Sequence, residues 1–542
     1  MEEKEEVSLD AVMVPEEPKK PKKTGLVIGI IIVLVVAIAG ILVFLNRDKL
    51  FGDSESSEQK ETKKKEVLSE YGMTGNDLQN FDLYFMQLEN NGKNMIYSPL
   101  SIKYALEMLG EGADGETKAQ IDAVVGDYVA RKYTNSSHMS FANALFVKDS
   151  YKDSIVTNYA ETLRNNYGAE FIFDSFKSPK VINDWVSSKT FKLIPNLMDD
   201  VSNLDYVLVN ALAIDMEWKN KIQSEHDSYS VSFMHETVKV PDQEWEQGGV
   251  WVSSLDNSGY ASLKFKDLSN EVKAVEIGAV AHRYDIVKEL GEENIRKTVQ
   301  DEYQKWLKEP GHAEEEEAFG KFDIDTYMKE IKTNYNQISS STDFTFYDDE
   351  DVKAFAKDLK TYDGVTLQYV GVMPKKDSLS DYVKNTNADK INKIIGNLKE
   401  VTMDNFEDGY ITIIEGYIPM FEYDYQLDLM KDLQSLGIKD VFDLDKADLS
   451  KLSSSKTAIS SAVHKANIEF SNDGIKAAAA TAMGGMGAAD GGFDYTFDCP
   501  VKRINLTFDN PYMYFVRDKE TGEVWFAGTV YEPVKYVSEY NW

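Results

Sequence analysis

The chain is short of cysteine, histidine and positive charge, and each shortage closes off a class of function. It has 542 residues and one cysteine, Cys499. An intrachain disulfide is excluded, so stability must come from packing. A lone cysteine most often behaves as a small buried hydrophobe. Six histidines occur (His138, His226, His235, His282, His312 and His464), and none forms HExxH or another close metal-ligand pair. There is no GxSxG elbow, no phosphate-binding glycine loop and no dinucleotide fingerprint. The expectation is a protein that is not an enzyme and uses no cofactor or metal. Lysine and arginine total 59 against 92 aspartates and glutamates, a formal net charge of −33. That argues against nucleic acid as a partner, because phosphates demand a basic surface. It suits solubility and a basic partner.

Apolar residues are not scarce. At 42% hydrophobic and 12% aromatic, the chain can build a sizeable core. One apolar run stands apart. Residues 26–45 are all apolar or glycine. At about 1.5 Å per residue they span roughly 30 Å, the thickness of a bilayer core. Lys19, Lys20, Lys22 and Lys23 precede the run, and Arg47 and Lys49 follow it. A cleavable signal peptide ending near Ala37-Ile38-Ala39 is the alternative, but the apolar run continues to Leu45, longer than a usual signal core. The reading is a cytoplasmic tail (1–24), a single-pass signal anchor (25–46), a flexible polar tether (47–70) and an extracellular domain (71–542). Surface display without disulfides fits a Gram-positive bacterial surface.

The domain is organised around residues 463–489, which change character midway. The strand-like VHKANIEF (463–470) leads into a turn at Asn472, Asp473 and Gly474. Four alanines follow, then Gly484, Gly485 and Gly487, which read as an exposed crown. Taken alone, the alanines could equally form a short surface helix capped by Ser471 or Asp473. The flanks carry more. VHKANIEFSNDG (463–474) resembles the strand and hinge of the serpin, or serine protease inhibitor, family. TFDNPYMYFVRDKETGEVWFAGTVYEP (507–533) resembles that family's C-terminal signature. NMIYSPLSIKYALEMLGEGADGETKAQI (94–121), INDWVSSKTFKLIPNLMDD (182–200) and YVLVNALAIDMEW (206–218) match in order, with Asn183, Asn210 and Trp218 on motif positions.

The resemblance implies an α+β fold: a large central mixed β-sheet, surrounding helices and an exposed reactive-centre loop. It implies a hinge of Gly474, Ile475, Lys476, Ala477, Ala478, Ala479, Ala480 and Thr481. It implies a sheet-opening region of Ser98, Ser101, Asn210, Trp218 and His464, where His464 holds two strands shut. If Ile475 faces inward, strand alternation sends Ala477, Ala479 and Thr481 inward too, and Lys476 outward. Two departures are visible: Asn472 stands where the family has an acidic residue, and Ile475 where it has a small hydroxyl residue. The family's usual hinge length puts the reactive bond at Ala488–Ala489, with Met486–Gly487 next. Small alanines suit elastase-like or subtilisin-like enzymes. The implied partner is a serine, or else a cysteine, protease. Residues 122–138 are short where some relatives carry a cofactor-binding helix, which with the acidic charge argues against heparin-like activation.

Further expectations concern local structure. Asn76 caps a helix burying Leu78, Phe81, Phe85 and Leu88. Another helix presents Leu427, Met430 and Leu433 on one face. Residues 241–347 have no counterpart in the family and read as an insertion. It holds a helix over 292–309 with Ile295, Val299 and Trp306 on one face, and an acidic turn at Glu314, Glu315, Glu316 and Glu317. The alternative function is a non-inhibitory surface binding module that works through this insertion.

Overall fold

Ser98 and Pro99 show how local chemistry starts an element. In a computed structural model of the chain, the Ser98 hydroxyl oxygen accepts a hydrogen bond from the Ser101 N–H at 3.1 Å. Pro99, with no N–H to leave unpaired, occupies the first turn of helix Pro99–Gly112. That helix buries Ile102, Leu106 and Leu109, as its spacing predicts. The structure describes residues 70–222, 229–233, 270–475, 493, 495 and 497–534. The expected tail, anchor and most of the tether lie outside these, as do Lys476, Ala477, Ala478, Ala479, Ala480, Thr481, Ala488 and Ala489. No helix among the described residues is long and apolar enough to cross a membrane.

Nineteen strands, numbered here in chain order, form four sheets among the described residues. One has the order β1 (Met95–Tyr97), β19 (Val524–Val530), β18 (Tyr512–Asp518), β11 (Leu367–Pro374), β10 (Val352–Asp358), β9 (Thr345–Asp348) and β12 (Lys399–Glu400). A second has β17 (Val501–Asn505), β13 (Ile411–Pro419), β7 (Asn270–His282) and β6 (Tyr229–Phe233), with β8 (Gln337–Ser340) also paired to β7. A third runs β14 (Phe421–Asp428), β15 (Val463–Phe470), β16 (Gly474–Ile475) and β5 (Met216–Glu217). The fourth runs β3 (Glu170–Asp174), β2 (Met139–Lys148) and β4 (Tyr206–Ile214). Strands β4 and β5 are consecutive, separated by Asp215, whose N–H donates to the His138 carbonyl at 2.8 Å. The third and fourth sheets are therefore two halves sharing one chain.

Burial follows the pleat. Along β15, His464, Ala466, Ile468 and Phe470 are buried and their neighbours half-buried, the period of two a half-covered strand requires. The buried rings of Phe421, Tyr369 and Trp218 gather around Phe470, with Tyr514 stacked on Phe421 and Tyr369, and give the core an aromatic centre.

Several local expectations are corrected. The first helix among the described residues spans Asn80–Glu89 and is capped by Gln79, whose N–H donates to Asp82 Oδ2 at 2.8 Å. Asn76 instead donates to the Val129 carbonyl at 2.7 Å, and Leu88 is exposed. Leu427 belongs to β14, and the helix that follows, Leu429–Leu436, buries Leu429, Leu433 and Leu436. The short connection 122–138 is in keeping with its expectation: residues 122–125 end helix Gly115–Val125, and 126–138 contain no helix.

Within residues 241–347, strands β7, β8 and β9 belong to the sheets above. What stands apart is a unit of helices Ile286–Leu290, Glu292–Trp306, His312–Phe319 and Ile324–Asn334. Its own core joins Ile286, Ile295, Val299, Tyr327, Met328 and Ile331. Helix Glu292–Trp306 buries Ile295, Val299 and Tyr303, with Trp306 half-buried. The four glutamates 314–317 lie within helix His312–Phe319, not in a turn. Glutamate and alanine are good helix formers, and that outweighs the repulsion of an exposed acidic run.

Candidate functional site

The site is a seam. β4 pairs with β2 on one side and β15 with β14 on the other, and among the described residues no ladder joins β4 to β15. Two facing strand edges without a ladder are a template for one more strand. Small cavities lie along the seam. One, of about 20 Å³, is lined by Val209, Asn210 and Ala211 of β4, by Val463, His464 and Lys465 of β15, and by Ile194 and Leu197. Helix Lys180–Lys189 and the segment after it cover this face, packing Ile182, Trp185, Val186 and Ile194 on β2 and β4.

At one end the seam is bridged. β16 sits between β5 and β15: Gly474 pairs with Glu217 and Ile475 with Met216, while Phe470 pairs with Ile475. Ile475 is 2% exposed, so it faces inward, where it lines a small cavity with Leu193, Ile214, Ile468 and Phe526. Gly474 is a close approach. A Cβ there would lie 2.3 Å from the Met216 carbonyl oxygen, so only glycine lets the hinge seat this near β5. Continuing the Ile475–Met216 register would set residues 477–485 against residues 214–206 of β4.

Trp218 anchors this bridged end. Its indole N–H donates to the Ser471 carbonyl at 2.9 Å and its backbone N–H to the Asp473 carbonyl at 3.0 Å. The Ile222 N–H reaches the Asn472 carbonyl at 3.1 Å, and Lys221 pairs with Asp473 at 2.8 Å. The turn 471–474 is thus stitched to the strand it must leave or follow. The Ser471 hydroxyl contacts the Gly474 carbonyl, closing a hairpin rather than capping a helix.

Ser98, Ser101, Asn210 and His464 meet part-way along the seam. His464 Nε2 accepts the Ser98 N–H at 2.9 Å. Burial pushes the imidazole down to about 4, so it is neutral at ordinary pH with its proton on Nδ1. Asn210 donates to Asn143 Oδ1 at 2.6 Å, and among the described residues its own Oδ1 is buried without a partner, as is the Ser101 hydroxyl. Trp218 is not part of this group; it belongs to the bridged end.

Sequence reasoning did not anticipate the Ser471 and Asp473 carbonyls, which no side-chain pattern reveals. It also passed over the limb Phe493, Tyr495, Phe497, Cys499, whose signal was the alternation of apolar and polar residues. Cys499 itself is 8% exposed, and burial pushes its thiol up to about 11, which makes it a packing residue.

The family model for "Serpin (serine protease inhibitor)" matches residues 76–242 and 322–533. Human leukocyte elastase inhibitor is 25% identical over 478 residues, covering 83% of this chain and 97% of that protein. The crystal structure of the thermophilic serpin tengpin in the native state superposes with a TM-score of 0.55 at 19% identity, covering 86% of this chain and 98% of that one. Human thyroxine-binding globulin complexed with thyroxine superposes with a TM-score of 0.54 at 16% identity, covering 87% of this chain and 99% of that one.

Proposed function

Because the chain belongs to the serpin family, we propose that it is a suicide inhibitor of serine proteases with small-residue specificity, elastase-like or subtilisin-like, displayed on the cell surface. The observation that carries this reading is the seam between β4 and β15 with Gly474 and Ile475 already seated at one end. The protease serine attacks the carbonyl of the bait bond, proposed as Ala488–Ala489. The amine of the following residue leaves, and an ester joins enzyme to loop. The freed loop then adds as a strand between β4 and β15, and loop insertion in serpins is among the known modes of β-strand addition and switching. New ladder hydrogen bonds and burial drive the step. The protease is dragged along and deformed before water can hydrolyse the ester, so the outcome is a race between insertion and deacylation. A relative named as an elastase inhibitor supports the reading, as do the small residues on either side of the proposed bond. Residues 26–45 are the proposed anchor.

Heating tests the mechanism. An uncut inhibitor of this kind is metastable, and cutting its loop should raise the thermal midpoint. A cut protein that melts where the uncut one does cannot insert its loop. That result would favour a second reading, a surface binding module. Residues 243–321, which the family model leaves unmatched, are the observation behind it.

A further inference from the structure

Phe493, Tyr495, Phe497 and Cys499 alternate with Asp494, Thr496 and Asp498, which puts the first four on one face of an extended chain. That face lies on the helical unit. The Phe493 ring centroid is 4.9 Å from that of Phe322, 5.1 Å from Tyr303 and 5.7 Å from Trp306. The Tyr327 hydroxyl donates to the Tyr495 carbonyl at 2.7 Å. Phe497 meets Tyr495 edge-on at 4.9 Å, and Cys499 is buried in the core the unit shares with Ile411. The limb runs directly into β17. That strand is an edge strand, paired only with β13 among the described residues and half-buried throughout. On its own, β17 holds the limb weakly.

A chain of contacts leads from the bridged end of the seam towards the unit. The Lys219 backbone N–H donates to the Asp358 carbonyl at 3.0 Å, beside Lys357, whose ammonium is held by Thr342 and Asp343. Ser341 donates to the Gly278 carbonyl at 2.9 Å, and β7 then runs from Gly278 to His282, away from that contact and into the helices. The other end of β4 is far off, where the Tyr206 hydroxyl meets Ser453 at 3.0 Å.

These distances matter for an uncut loop. In the seated register, full insertion carries Gly485 opposite Tyr206. From there back to the level of Ile475 is ten residue steps, about 33 Å at 3.3 Å each. Only eight steps separate Gly485 from Phe493, and they reach at most about 29 Å. With Phe493 held at or beyond the level of Ile475, an uncut loop falls short of full insertion.

We propose that Tyr303, Trp306, Phe322 and Tyr327 are positioning residues that clamp the C-terminal limb of the bait loop, so that insertion is completed only after the loop is cut. The clamp rests on the inhibitory reading and adds to it a means of keeping the unspent inhibitor from inserting its own loop.

The test uses the full chain, solubilised in detergent, and two variants. One is the double substitution Trp306→Ala with Phe493→Ala. The other adds eight Gly/Ser residues after Gly492, which lengthens the tether and leaves the clamp intact. Each is held uncut at raised temperature and sampled for capacity to trap pancreatic elastase or subtilisin, for intact mass and for thermal midpoint. Freshly made, both variants should trap protease as the parent does. Capacity should then decay about tenfold faster or more, in step with a heat-resistant species of uncut mass, whereas the conservative Trp306→Phe with Phe493 kept should decay as slowly as the parent. Decay at the parent's rate in the lengthened variant would overturn the proposal. So would decay accompanied by aggregation and no heat-resistant uncut species, the sign of a purely structural role. If the fresh parent traps neither protease, the inhibitory reading fails; the heat-resistant uncut species still tells whether the clamp restrains insertion.

Discussion

His464 Nε2 accepts the backbone N–H of Ser98 at 2.9 Å, a contact 366 residues apart in the chain that pins β15 to the start of helix Pro99–Gly112. The bond requires a neutral imidazole. Burial holds that imidazole at about 4, against 6.5 in a free histidine. Above 6.5 both folded and unfolded chains carry it neutral. As pH falls from 6.5 towards 4 the unfolded chain takes up the proton first, and the folded chain loses up to roughly 3 kcal/mol.

Glu107 works in the opposite direction over the same window. Burial raises its carboxyl from 4.5 to about 7. Its contribution is fully present below 4.5 and is lost as pH rises through 7. The two variants His464→Gln and Glu107→Gln should therefore change the pH slope of the denaturation midpoint with opposite signs between pH 4.5 and 7. Parallel, unshifted slopes in both would contradict the assignment of either group.

The hinge should fail when its inward face is spoiled. Ile475→Arg forces a charge into an apolar slot, and Gly474→Val drives a side chain into the Met216 carbonyl. A loss of about 2 kcal/mol from the insertion step slows it roughly 30-fold. Deacylation then wins, and the protein becomes a substrate. Protease recovered active after a stoichiometric mix reports this directly; inhibition at parental stoichiometry would show that the hinge lies elsewhere.

The bait bond is a question of mass. Digestion at low protease ratio should release a C-terminal fragment beginning at Ala489. A fragment beginning at Gly487 would move the bond to the neighbouring candidate. A start far from either would remove the small-residue specificity from the account.

The strand–turn–hinge of residues 463–475 was legible because its period of two, its turn residues and its family likeness agree. Helix Pro99–Gly112 was legible because proline and a capping serine are local signals. Asn76 misled because several polar residues precede that helix, and Asp82 completes a box with Gln79 rather than with Asn76. Leu427 was placed on a helix because β14 runs without a break into helix Leu429–Leu436. The seam itself could be stated only through resemblance. Whether β4 and β15 pair is decided by contacts some 250 residues apart, which leave no trace in local pattern. The limb 493–499 did leave a trace, but its partner helices lie in the stretch with the least family likeness.

The central claim is a covalent trap. Mixing the protein with pancreatic elastase or subtilisin and separating the products on a denaturing gel after boiling tests it most directly. The account predicts a band of high mass, the protease joined by an ester to the chain cut at its bait bond and lacking only the released C-terminal fragment. Clean cleavage near Ala488 with full protease activity remaining, and no such band at any ratio, would contradict it.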